Sequence, residues 1–282
     1  MIYCFDTSAL NRLLDDPDRD VITTALLATA SFRITGYNVL EAANTKDPAR
    51  RIALVKLMRR LTNNKRPVDL PNSVVRTAAR AYAEKTPDVT VNADPNLEGL
   101  WVALNEPELL DDSARQESLD WAKNWSDEFD SIAAGKREQF QELFQKKGAT
   151  RPRTPAGTLR GYSELKELIR DRLIGRIYER ETGKSLNPAD FEELMEEPIW
   201  SLYLGAYAYA FHQRSIRQHG YSRSRHAGAI DLGQAVYLAM CDRFVTDDKT
   251  QYRALRLLNT LNTKRDTQVL RYDTFRRRLL LL

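Results

Sequence analysis

The stretch Asp231 to Lys249, DLGQAVYLAMCDRFVTDDK, constrains the fold more than any other part of the chain. Leu232, Ala235, Val236, Leu238, Ala239 and Met240 recur at helical spacing after Asp231, a residue type that starts helices. Phe244 and Val245 favour a strand, and Thr246-Asp247-Asp248 leaves it as a turn. A helix over 231–242 is roughly 16 Å long at ~1.5 Å per residue. The strand runs back the other way, which returns Asp247 and Asp248 to the level of Asp231. Asp242 is left at the far end. Asp231 and Asp248 can therefore share a site that Asp242 does not reach.

The same alternation of strand and helix opens the chain. Ile2 to Phe5 forms a short apolar strand that stops at Asp6, and Asp6-Thr7-Ser8 begins a helix carried by Leu10, Leu13 and Leu14. A second helix covers 21–30 and a second strand 32–35, with Gly36 as its breaker. Asn38 then caps a helix that carries Glu41. The segment 52–61 reads as a basic amphipathic helix with Arg50, Arg51, Lys56, Arg59 and Arg60 for its outer face. After Asn63 the alternation stops, and the patterns over 73–84, 116–133, 136–146, 163–181 and 188–195 are helical, with 148–161 a loop. It resumes at Asp231 and ends in a strand over 267–272.

The expected architecture is thus α/β, a Rossmann-like parallel sheet flanked by helices and interrupted by a large all-helical insertion. Residues 1–66 and 212–282 form the discontinuous core, and 67–211 the insertion. A chain of 282 residues is long enough for this arrangement. No apolar run approaches the ~18 residues of a membrane span, so no membrane partner is expected. Cys4 and Cys241 sit in apolar surroundings as free thiols, and the N-terminus enters a strand without a leader pattern. Both point to a cytoplasmic protein.

In such a sheet the carboxyl end of a strand and the start of the next helix share one edge, where ligands bind. Asp6, Glu41, Asp231 and Asp247-Asp248 all fall on that edge. Each acid by itself reads as a cap, a turn or a solvated helix face. That reading leaves unexplained why four separate transitions each place an acid at the same edge. Clustered carboxylates repel one another, and a site of this kind calls for a hard divalent cation, Mg²⁺ or Mn²⁺.

The motifs FDTSAL, YNVLEAA, DLGQAVYLAMCD and FVTDDK together resemble those of the PIN-domain nucleases, which include the toxin ribonucleases of bacterial toxin–antitoxin pairs. The resemblance covers the two ends of the chain and leaves the middle without a counterpart. It implies a Mg²⁺- or Mn²⁺-dependent endoribonuclease with Asp6, Glu41, Asp231 and Asp248 as catalytic metal ligands. Asp247 is a further candidate ligand, and Thr7, Ser8, Asn38 and Thr246 are supporting residues. An antitoxin or inhibitor protein and a second copy of the chain are candidate partners.

Charge distribution adds a candidate RNA surface. No Asp or Glu occurs from Pro198 to Ile230, a span that holds Arg214, Arg217, Arg223 and Arg225 and all three histidines. With Lys249 these arginines are the expected RNA contacts, and Tyr203, Tyr207, Tyr209, Phe211 and Tyr221 are candidate stacking surfaces. The histidine spacing matches no zinc motif. Two other functions compete. A phosphatase resembling the haloacid dehalogenase group also begins with an aspartate after the first strand. It normally carries a second aspartate two residues on, where this chain has Ser8. The other is a non-catalytic RNA-binding module.

Overall fold

The segment Ile-Tyr-Cys-Phe, rich in strand-forming residues, forms β1 (Ile2–Phe5) at the centre of a four-stranded sheet. β2 (Ser31–Arg33) lies on one side of it; β3 (Arg243–Thr246) and then β4 (Gln268–Arg271) lie on the other. Every strand pair is parallel, with Tyr3 opposite both Phe32 and Arg243, and Val245 opposite Leu270. The computed structural model describes residues 1–63, 65–86, 95–104, 116, 120, 123, 127, 131, 137–146, 150–161, 163–216 and 227–280. The expected α/β class with a parallel sheet flanked by helices is what these residues form.

From β1 the chain passes to β2, then returns across the sheet to β3. That reversal opens a crevice between the carboxyl ends of β1 and β3. One parallel bridge, Thr35 to Val68, extends the sheet beyond β2. It draws residues 68–70 against Gly36, where a Cβ would stand 2.8 Å from Leu70 Cδ2 and 3.0 Å from Leu70 N. Only glycine allows that approach without a shift.

Alternation along each strand sorts the core into two layers. Tyr3, Phe5, Phe32, Val245 and Leu270 face α1 (Thr7–Leu14), α2 (Arg19–Thr29), α4 (Pro48–Thr62) and the C-terminal helix Tyr272–Leu280. Between α2 and α4 in sequence lies α3 (Gly36–Ala43), at the sheet edge. Phe5 is fully buried between Phe32 and Phe275, each with its ring centroid 4.9 Å away and edge-on. Truncating it to alanine costs about 3–5 kcal/mol.

Cys4, Phe244 and Val269 face the opposite layer. That layer contains α5 (Pro71–Glu84) and the long buried helix Pro198–Phe211, together with the 3₁₀ segment Gln234–Met240 and the helix Lys249–Leu258. The described part of the expected insertion is helical apart from the bridge at Val68. It does not pack apart from the sheet: α5 and the Pro198–Phe211 helix belong to the same hydrophobic core as Phe244.

Several local expectations are corrected. The 163–181 helix is α-helical over Ser163–Leu168 and Gly175–Thr182 but π-helical over Ile169–Ile174. Residues Pro155–Gly161 form a short helix within the expected loop. The helix expected over 116–133 lies outside the described residues, save isolated positions. On α4 Lys56 and Arg60 are exposed as expected, but the arginines are not all open to solvent. Arg51 is buried, Arg50 and Arg60 pair with Asp15 and Asp20, and the Arg59 guanidinium sits 5.4 Å from the Trp101 ring centroid. Among the described residues no helix is long and apolar enough to cross a membrane. Cys4 and Cys241 are free and buried.

Candidate active site

Asp6 is the floor of the crevice. It follows the last residue of β1, caps α1 and is 4% exposed. Its Oδ1 accepts the Ala9 N–H at 2.8 Å; Ser8 Oγ lies 2.7 Å and Thr246 Oγ1 2.8 Å from its Oδ2. The two hydroxyls join the strands at the switch point. Ser8 Oγ also accepts the backbone N–H groups of Asp247 (2.9 Å) and Asp248 (3.1 Å), so the turn after β3 is tied to the start of α1.

Thr246 reveals a residue that the motifs did not single out. Its hydroxyl stands 2.8 Å from Asp6 Oδ2 and 2.7 Å from Gln251 Oε1, although a hydroxyl has one proton. Gln251 is buried, and its Nε2 has no partner in that orientation. Turning the amide so that Nε2 donates to Thr246 removes the conflict at the hydroxyl and leaves the Thr246 proton for Asp6. Gln251 thus positions Thr246. A sequence signal existed only in its place three residues after Asp248, a capping-box spacing.

Glu41 lies in the second turn of α3. That helix begins earlier than expected. Thr35, in extended conformation, is its cap, and Asn38 is the third helical residue, whose side chain accepts the Thr35 N–H at 2.9 Å. Asn38 Nδ2 donates to Thr7 Oγ1 at 3.1 Å, and the Thr7 hydroxyl in turn donates to Glu41. Asn38 supports the site by this relay and not by capping the helix.

Asp231 is also not the start of its helix. The α-helix spans Ala229–Gly233, Gly228 is its cap, and Asp231 Oδ2 accepts the Gly228 N–H at 2.9 Å. Tight 3₁₀ winding over Gln234–Met240 then replaces the regular helix expected to 242. Asp248 caps the Lys249–Leu258 helix, its Oδ1 accepting from Thr250 N at 2.6 Å and Gln251 N at 2.7 Å. Asp247 is turned aside to Arg271 at 3.2 Å. A further acid, Asp69, follows the Val68 bridge at the same edge and is buried. No strand pattern marked it in the sequence.

The crevice grades from buried Asp6, through partly exposed Glu41 and Asp231, to exposed Asp248. Burial raises the pKa of Asp6 to about 7, against hydrogen bonds from Ala9, Ser8 and Thr246, with the charge of Asp231 adding to the rise. Glu41 is also pushed up to about 7, by desolvation of its carboxyl first and then by Asp6 and Asp231. Asp231 is raised by burial and by Asp248, against its bond from Gly228. Each of these three acids therefore feels at least one of the others. No ion pair reaches any of the four among the described residues.

The donors are all oxygens, the set a hard divalent cation takes. Among the described residues, however, no three His, Cys, Asp or Glu side chains converge as a metal-ligand group. Three of the four acids instead have at least one oxygen engaged by a helix N-terminus. No family model, curated protein or solved structure matches this chain.

The expected RNA contacts fare differently. Arg214 is buried in the π-helical turn His212–Ile216, where every residue is buried, so it offers no open basic surface. Arg217, Arg223, Arg225 and Tyr221 lie outside the described residues. Tyr203, Tyr207, Tyr209 and Phe211 belong to the core and are not stacking platforms. Lys249 is exposed beside Asp248.

Proposed function

We propose that the protein is a divalent-cation-dependent endonuclease that hydrolyses phosphodiester bonds in single-stranded RNA, with a toxin or defence role under the control of an inhibitor protein. The observation that supports this reading is that Asp6, Glu41 and Asp231 all stand at the carboxyl edge of the sheet, where the charge of Asp231 adds to the raised pKa of Asp6 and both add to that of Glu41. Asp6, Glu41, Asp231 and Asp248 would hold Mg²⁺ or Mn²⁺, which when bound supplies a Lewis acid and a more acidic water. Ser8 and Thr246 keep Asp6 oriented as an acceptor. Without a cation Glu41 is pushed up to about 7 by its burial, so a bound ion would displace its proton. Lys249 at the rim supplies positive charge for a phosphate.

One observation favours a second reading. Asp6, Asp231 and Asp248 all serve as helix-start acceptors, which suits a non-catalytic module whose acids only terminate helices. A fluorogenic single-stranded RNA assay in Mn²⁺ and in EDTA, run beside a phosphate-monoester assay, separates the readings. The nuclease cuts RNA in Mn²⁺ alone. Monoester hydrolysis without RNA cleavage would make the protein a phosphatase, and neither activity would leave the second reading.

A further inference from the structure

β4 is the free edge of the sheet, with one strand neighbour among the described residues. Gln268 N donates to Asp242 O, so Gln268 and Leu270 direct their backbone groups toward β3. In a parallel ladder alternate residues point opposite ways, so Val269 directs its N–H and C=O outward and Arg271 its N–H, while the Arg271 C=O begins the Tyr272–Leu280 helix. A groove of about 540 Å³ runs along this edge. Arg256, Arg271 and Arg278 line it with Gln268, Thr260 and Thr274, and no carboxylate does. Arg271 gives one nitrogen to Asp247, but its buried Nε has no acceptor.

Charge and geometry together select the occupant. An outward row of N–H and C=O groups is matched by another extended peptide, which supplies the reciprocal row. A second copy of β4 would bring arginines against arginines, so the edge repels its own kind. The only aromatic ring lining the groove, Tyr252, already carries the Arg256 guanidinium 5.6 Å from its centroid, which obstructs a stacked base. We propose that this edge accepts an extended acidic segment of a partner protein as a fifth strand, its carboxylates meeting Arg256, Arg271 and Arg278. This docking does not depend on the nuclease reading.

The probe is a fluorescein-labelled ten-residue peptide of alternating valine and glutamate, titrated into the full chain, with a valine–lysine peptide and oligouridylate as comparators. The acidic peptide binds, more weakly as salt rises, and Arg256→Ala with Arg278→Ala weakens it about tenfold or more. Val269→Pro removes an outward donor without touching the β3 ladder and weakens it comparably. Amide exchange at Val269 and Arg271 slows in the complex, a readout that needs no variant. Equal binding of the lysine peptide, or no added protection at those amides, overturns the proposal. So does binding of oligouridylate alone, which would make the groove a nucleic-acid track.

Discussion

The two edges of one small sheet treat the same residue type in opposite ways. At the amino edge Asp242 accepts the Ile2 N–H at 2.7 Å and the Arg265 guanidinium at 2.7 Å, and these bonds hold its carboxyl below the usual range. It ties the start of β1 to the segment before β4 and has every reason to be charged. At the carboxyl edge Asp6, Glu41 and Asp231 are pushed upward by burial first and then by neighbouring acids, Asp231 acting on Asp6 and Glu41 and Asp248 on Asp231, with no ion pair among the described residues. An acid whose charge the fold answers serves the fold. Acids whose charge the fold leaves unanswered are poised for something else.

The largest expected contrast is in activity. Glu41→Gln and Asp6→Asn each lower RNA cleavage by about a hundredfold or more, a loss comparable to removing one preorganised electrostatic group. Asp242→Asn keeps cleavage near wild type, since it lies at the opposite edge. Initial rates on the fluorogenic RNA in Mn²⁺ decide this, and equal losses at both edges would erase the distinction.

Stability should reverse the order. Asp242→Asn costs up to about 1 kcal/mol, because Arg265 loses a charged acceptor in a pair that solvent partly screens. Glu41→Gln leaves the metal-free protein equally stable or more so at pH 8, because it removes repulsion. The pH dependence has a definite sign. Between the ordinary values of 3.8 and 4.5 and the folded values of about 7, the folded protein holds protons that the unfolded chain has released. Stability in EDTA therefore falls as pH rises through about 7, by up to about 1.4 kcal/mol per unit for each such acid. Glu41→Gln flattens that slope in urea melts from pH 5 to 8. Asp242, with its lowered pKa, contributes stability that is lost only as pH falls below the ordinary carboxylate range, so Asp242→Asn leaves the slope unchanged.

A smaller effect tests the relay behind Glu41. Asn38→Ala removes the acceptor for the Thr35 N–H and the donor to Thr7, costing about 1 kcal/mol in a denaturant melt. It slows cleavage less than Glu41→Gln does. A rate as low as that of Glu41→Gln would mean that Asn38 does more than orient Thr7.

Much of this contrast was legible in the chain. Strand–acid–helix order at Phe5-Asp6 and Thr246-Asp248, and the return of β3 past its helix, already separate Asp242 from the other acids. Helix starts were less legible. Asn38 and Asp231 are good cap residues, yet both stand at the third helical position and bond back to Thr35 and Gly228. A capping box places the conspicuous polar residue three positions after the true cap. Burial was the other blind spot. Arg51 and Arg214 look like surface cations by type, and only the packing of α4 and of the turn after Phe211 puts them inside.

Glu41 is the one acid of the four whose carboxylate accepts no helix-start N–H, so it separates a cation site from a set of helix starts. The decisive measurement is proton release when Mn²⁺ is added to the weakly buffered protein at pH 7, followed with an indicator dye. With Asp6 and Glu41 each near half-protonated, wild type releases about one proton or more per bound ion, and Glu41→Gln distinctly fewer. No release from wild type, or the same release from both proteins, would contradict the claim that these carboxylates act together on a divalent cation.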